Sequence, residues 1–115
     1  MLKRDYFEHD SPEGLDFSWR YSQVGFSCNI YVGDYIYGGA ENLHQGWTYG
    51  TIWYTNGVET NREWYSSDEI AENAVNGWMN SPGHRQNILT SYWKNEGIGV
   101  AVSSDGKVLA TQNFC

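Results

Sequence analysis

Residues 66–89 leave the chain little choice but a helix, a sharp stop and a second short helix. Ser66, followed three residues later by Glu69, has the form of a capping box. Ile70, Ala74, Val75, Trp78 and Met79 recur near the 3.6-residue period and define one apolar face. Asp68 and Glu69 sit where the helix dipole favours negative charge. Ser81-Pro82-Gly83 ends the run, because proline cannot continue the hydrogen-bond ladder. His84–Leu89 then fits a short second helix, which places a histidine directly after a helix break.

The rest of the chain reads as strands and loops. Trp53-Tyr54-Thr55, Asn56-Gly57 and Val58-Glu59-Thr60 form a two-residue hairpin signature, since Asn-Gly suits a type I′ turn. Gly97–Val102 and Lys107–Phe114, joined by Ser103-Ser104-Asp105-Gly106, read as a closing hairpin. Residues 10–46 read as loops with short strands, Tyr35-Ile36-Tyr37 among them. A helix with antiparallel hairpins predicts an α+β fold, and 115 residues predict one domain.

Composition narrows the functions open to it. The net charge is −7 with only 7 Lys+Arg, so the basic patch that a nucleic-acid binder needs is missing and anionic membranes are disfavoured. No run approaches the roughly 18 apolar residues of a membrane span. No signal peptide is visible, so an export signal would lie upstream of Met1 or be absent from this chain. Six Trp, nine Tyr and four Phe predict a core and surface built on rings, with amphipathic walls for ligands. Trp47, Tyr49, Trp53, Tyr54, Trp64 and Tyr65 gather around the Asn-Gly hairpin. That hairpin either packs one face on the domain or displays a platform for a sugar or an apolar ligand. Cys28 and Cys115 allow one disulfide spanning most of the chain, the alternative being two free thiols. A disulfide would imply an oxidising compartment.

No zincin, phosphate-loop, dinucleotide or nucleophile-elbow motif is present. His9, Glu41 and His84 remain, each in a segment with turn residues. Two imidazoles and a carboxylate could hold a divalent metal, zinc best, with an open position. They could equally form a polar cleft that titrates near neutral pH, or be three ordinary surface residues.

The ordered set Phe7-x-His9, Ser11-Pro12-Glu13-Gly14, Glu41-Asn42-Leu43, Trp78–Leu89, Gly97-Ile98-Gly99-Val100 and Thr111-Gln112-Asn113-Phe114 resembles the CAP superfamily. That superfamily comprises cysteine-rich secretory proteins, venom antigens and plant pathogenesis-related proteins; the spacing is similar to its microbial, SCP-like branch. The resemblance covers nearly the whole chain except residues 44–65. It implies a secreted α-β-α sandwich with a small antiparallel sheet, whose cleft carries two His and two Glu. By motif position His9, Glu41 and His84 match three of the four, and Ser81 stands where the second Glu would be. The resemblance thus implies His9 and His84, with Glu41, as the candidate metal ligands.

Two further departures stand out. Met1–Asp5 matches only the last turn of a helix that the family carries complete: either the true start lies upstream, or the element is missing, which would expose apolar surface and favour a homodimer. The aromatic segment 44–65 reads as an insertion that could roof the cleft, with His44 as a further candidate cleft residue or a plain surface one. The expected function is a secreted, non-catalytic binding module for a small apolar, lipid-like, peptide or sugar ligand. A metal-dependent hydrolase of protease or nuclease type and a structural cell-surface module are the alternatives.

Overall fold

A computed structural model describes Met1 and residues 7–115. Its elements run α1 (Phe17–Gln23), β1 (Ile30–Val32), β2 (Tyr35–Tyr37), β3 (Ala40–Trp47), β4 (Tyr49–Thr55), β5 (Val58–Trp64), α2 (Ser67–Met79), α3 (Pro82–Leu89), β6 (Glu96–Val102) and β7 (Lys107–Phe114). The α+β reading holds. The helical turn expected at Met1–Asp5 falls, but for Met1, outside the described residues.

The centre of the domain is an antiparallel sheet in the order β3-β7-β6. As the middle strand, β7 supplies Val108, Leu109, Ala110 and Phe114 to the core, where Leu43, Ala74, Trp78 and Cys115 join them. The opposite edge strand, β6, is exposed along its whole length. The closing hairpin read from the sequence is β6–β7, with Glu96 paired to Phe114 and Val102 to Val108.

Register sorts the side chains onto two faces, because successive residues of a strand alternate. Glu41 and Leu43 share one face with Thr111 and Asn113 of β7. Asn42 and His44 share the other with Ala110 and Gln112. On this second face lie α2 and α3. Ser66 caps α2 with the reciprocal Glu69 bond expected of a capping box. Trp78 Nε1 donates to the Leu43 carbonyl at 2.9 Å. Pro82 opens α3, where its missing N–H costs nothing.

On the first face lies α1. Asp16 caps it, accepting from the N–H groups of Ser18 and Trp19 at 3.0 and 3.3 Å. Gly39 lets the helix approach: its φ is 106°, and a Cβ there would come within 2.7 Å of the Phe114 carbonyl and 3.3 Å of the Phe17 and Tyr21 rings. The three-stranded sheet thus has helices on both sides.

Cys28 and Cys115 are disulfide-bonded across 87 residues. The bond ties the α1–β1 connection to the end of β7. The terminus is further held by Lys94 and Asn95 N–H groups donating to the Cys115 carbonyl at 2.6 and 2.7 Å.

The aromatic segment does not roof the cleft. Its first residues, 44–47, belong to β3, and the rest forms β4 and β5, a separate two-stranded sheet with Asn56 and Gly57 at φ 52° and 78°, as a type I′ turn requires. Its base is pinned by Thr48 N–H donating to the Gly106 carbonyl at 2.8 Å. The remainder stands away from the domain as an arm. The radius of gyration is 17.2 Å and the extents are 64 × 29 × 19 Å, against about 13 Å expected for a compact chain of this length.

Candidate functional site

Glu41 is the pivot of the site. Its backbone lies in β3, and its side chain is 1% exposed. An ionised carboxylate so deeply buried must be paired and hydrogen-bonded. Three groups do this. His9 Nδ1 lies 3.1 Å from Oε1 and donates to it. Asn113 Nδ2, directly across the β3–β7 ladder, donates to Oε2 at 2.9 Å. Arg20, in the last turn of α1, donates from Nη2 to the same Oε2. Its Nη1 also donates to the His9 carbonyl at 3.2 Å. One guanidinium therefore holds both the carboxylate and the backbone of the segment bearing its histidine partner.

The donation from Nδ1 to the carboxylate is made by a side chain that is 54% exposed. Tyr21, the next residue of α1, donates its hydroxyl to the Phe114 carbonyl at 3.4 Å. Burial raises its phenol above the usual range, so it stays protonated. A cavity of about 230 Å³ opens beside it, lined by Tyr21, Phe26, Asn113 and Cys115 among others.

The structure brings His9 and Glu41 together and leaves His84 apart from them. His84 lies in the first turn of α3, and its main-chain carbonyl accepts from Asn42 Nδ2 at 3.1 Å on the opposite face of the sheet. No hydrogen bond joins the His84 side chain to His9 or Glu41 among the described residues. Asn42 is fully buried. It also donates to Gln112 Oε1 at 3.0 Å and accepts from Asn87 Nδ2 at 2.9 Å. Trp93 Nε1 donates to the Asn87 carbonyl at 3.0 Å and closes the network. The Glu41-Asn42 pair is thus bifunctional: Glu41 orders the cleft and Asn42 holds α3.

Ser81 caps no backbone group with its side chain and marks the joint between α2 and α3. His44, considered as a further cleft residue, lies three positions along β3 from Glu41 and so faces the other way. It sits under α2, edge-on to Trp78 at 6.2 Å. Burial lowers its pKa.

A metal does not fit these groups. Both Glu41 oxygens already accept from nitrogen donors, one of them cationic. Among the described residues no three His, Cys, Asp or Glu side chains gather as a metal-binding group. Of the His9–His84–Glu41 set expected from the motifs, only His9 and Glu41 are joined by a hydrogen bond among the described residues, and Glu41 and the Asn42 anchor of α3 lie on opposite faces of β3.

The chain matches the family model of the cysteine-rich secretory proteins, CAP, over residues 1–114. It is a CAP domain. No curated protein and no solved structure matched it. Members of the family are generally secreted, and among the described residues no helix of this CAP domain is long and apolar enough to cross a membrane.

Arg20 and Asn113 of the CAP cleft were missed in the sequence. Arg20 had one legible signal: it is the only Lys or Arg between residues 5 and 61 of an acidic chain. Asn113 is marked only as part of the Thr111–Phe114 motif, and its role depends on being registered against Glu41.

Proposed function

We propose that this CAP domain is an extracellular, non-catalytic binding module that presents its aromatic arm to a neutral carbohydrate. The observation carrying this reading is the exposure of Trp53, Tyr54 and Trp64, at 47%, 61% and 65%, on a hairpin that stands off the domain. An isolated two-stranded hairpin is marginal in water, and exposed rings at this density mark an interaction site. The arm stiffens itself. Arg62 lies 4.2 Å above the Tyr49 ring and 5.5 Å from that of Trp64, and pairs with Glu59 at 2.5 Å. Cation–π stacking of this kind holds rings in fixed orientation.

Asn61 lies across the ladder from Trp53, and Thr51 lies between Tyr49 and Trp53 along β4. Flat apolar faces interleaved with neutral hydrogen-bonding groups suit the two sides of a sugar ring. Glu59 and Glu63 against Arg62 leave the arm without the positive charge that an anionic lipid would require. Support for a non-catalytic role comes from the cleft: the Glu41 lone pairs are engaged by His9, Arg20 and Asn113. Ser81 supplies no second carboxylate.

Titration with neutral β-linked oligosaccharides, followed by tryptophan fluorescence and by amide shifts of residues 49–64, tests the proposal. Saturable shifts confined to the arm and lost in Trp53→Ala and Trp64→Ala are expected. An arm unmoved by every glycan of the panel in the folded protein defeats it.

A further inference from the structure

We infer that Arg20 takes the place of a metal ion as counter-charge of the cleft carboxylate, making the His9–Glu41 pair an arginine-locked site closed to divalent cations. This is independent of the arm.

The argument begins with charge. Glu41 is buried and needs one positive partner. A CAP-type cleft with two glutamates has negative charge to spare for a divalent ion. Here Ser81 stands in place of the second glutamate, and one carboxylate faces one guanidinium, so the pair is neutral as built. A divalent ion at Glu41 would meet the Arg20 cation with no second carboxylate to offset it. Like charges meeting at a carboxylate that is itself buried repel more strongly than in water.

Geometry adds a second reason. A metal would need a Glu41 oxygen at about 2.0–2.2 Å, yet Oε1 is taken by His9 and Oε2 by both Arg20 and Asn113. His9 turns Nδ1 inward to the carboxylate, so metal bridging both residues would have to strip that proton and expel the guanidinium. The guanidinium is itself clamped, through Nη1, to the His9 carbonyl. A planar cation with several donors can grip two acceptors at once, which a lysine could not match. Arg20 is therefore a positioning residue for His9 as well as a counter-ion.

The test is zinc titration of the whole chain, read by the imidazole nitrogen shifts of His9 and by calorimetry. In the native sequence His9 should be unmoved up to on the order of 1 mM zinc. Zinc that moves only His44 or His84 agrees with this. Arg20→Gln removes the charge, and zinc should then bind at least ~10-fold more tightly, with His9 shifting. That gain should vanish when His9→Ala is added. Saturable zinc binding that shifts His9 in the native sequence overturns the inference, and so does an Arg20→Gln protein that folds but binds no better. Should Arg20→Gln fail to fold, the native protein still decides: its His9 resonances must be the same with zinc and with a chelator.

Discussion

Glu41 and Asn42, consecutive in β3, are buried on opposite faces of one sheet, and each anchors a different helical layer. Glu41 accepts from Arg20 of α1. Asn42 donates to the His84 carbonyl of α3 and accepts from Asn87 of the same helix. Strand alternation alone makes this possible. Two polar residues in sequence can thereby hold a sandwich together from its centre.

Asn42→Ala should be among the costliest polar substitutions in the domain. It would leave the Gln112 side-chain carbonyl without its donor and take one bond each from the His84 carbonyl and the Asn87 amide. At about 1 kcal/mol for each hydrogen bond lost, the loss is about 3 kcal/mol. Urea unfolding measures it. A loss under about 1 kcal/mol would mean that water replaces the network.

Glu41→Gln and Arg20→Gln should each destabilise by about 2–4 kcal/mol, because each leaves the other partner's charge uncompensated. The 30% exposure of the Arg20 side chain keeps the value below that of a fully buried pair. The double variant should lose less than the sum by about 1–3 kcal/mol. Strict additivity in a double-mutant cycle would show that the two do not act as a pair.

Reduction of the Cys28–Cys115 bond should lower stability by about 4–5 kcal/mol, since the bond removes the closure entropy of an 87-residue separation from the unfolded chain. Cys28→Ser with Cys115→Ser should melt some 15 °C or more below the native protein. Calorimetry with and without reductant checks this, and overlapping melting curves would contradict it.

His44 should contribute to acid sensitivity. Burial under α2 holds its folded pKa below the ordinary 6.5. The unfolded chain therefore takes up the proton first as pH falls. This contribution is complete above about pH 6.5 and is lost as pH drops from there toward the folded value. His44→Gln should flatten the melting temperature against pH just below 6.5, leaving the limb below pH 4 to carboxylates such as Asp16 and Asp105. An unchanged slope between pH 6.5 and 5 would remove His44 from the account.

The local elements were legible to the degree that their signals are local. The capping box of Ser66 and Glu69, the break before Pro82 and the Asn56-Gly57 turn each act over four residues or fewer, and each is where the sequence places it, although α3 begins at Pro82 rather than at His84 because proline is suited to the first helical position. The short helix α1 was read as loop, because Phe17–Gln23 has no apolar period and is stabilised by the Asp16 cap and by ring contacts with the Gly39 approach. Likewise β3 was not recognised as an eight-residue strand. Its interior carries Glu, Asn, His and Gln, and these are buried only because β7, α1, α2 and α3 supply partners.

The sequence by itself determined that this is an acidic, ring-rich α+β domain of the CAP family, with His9 and Glu41 among its marked residues and an Asn-Gly hairpin in its middle. Motif order and local turn chemistry suffice for that, since they need no knowledge of what lies across the sheet. Only the tertiary structure decided that Arg20 and Asn113 complete the Glu41 site, that His84 is held by its backbone on the other face, and that residues 49–64 leave the domain as an arm. Those outcomes rest on strand register and on which charges burial forces to meet, and neither is written at any single position along the chain.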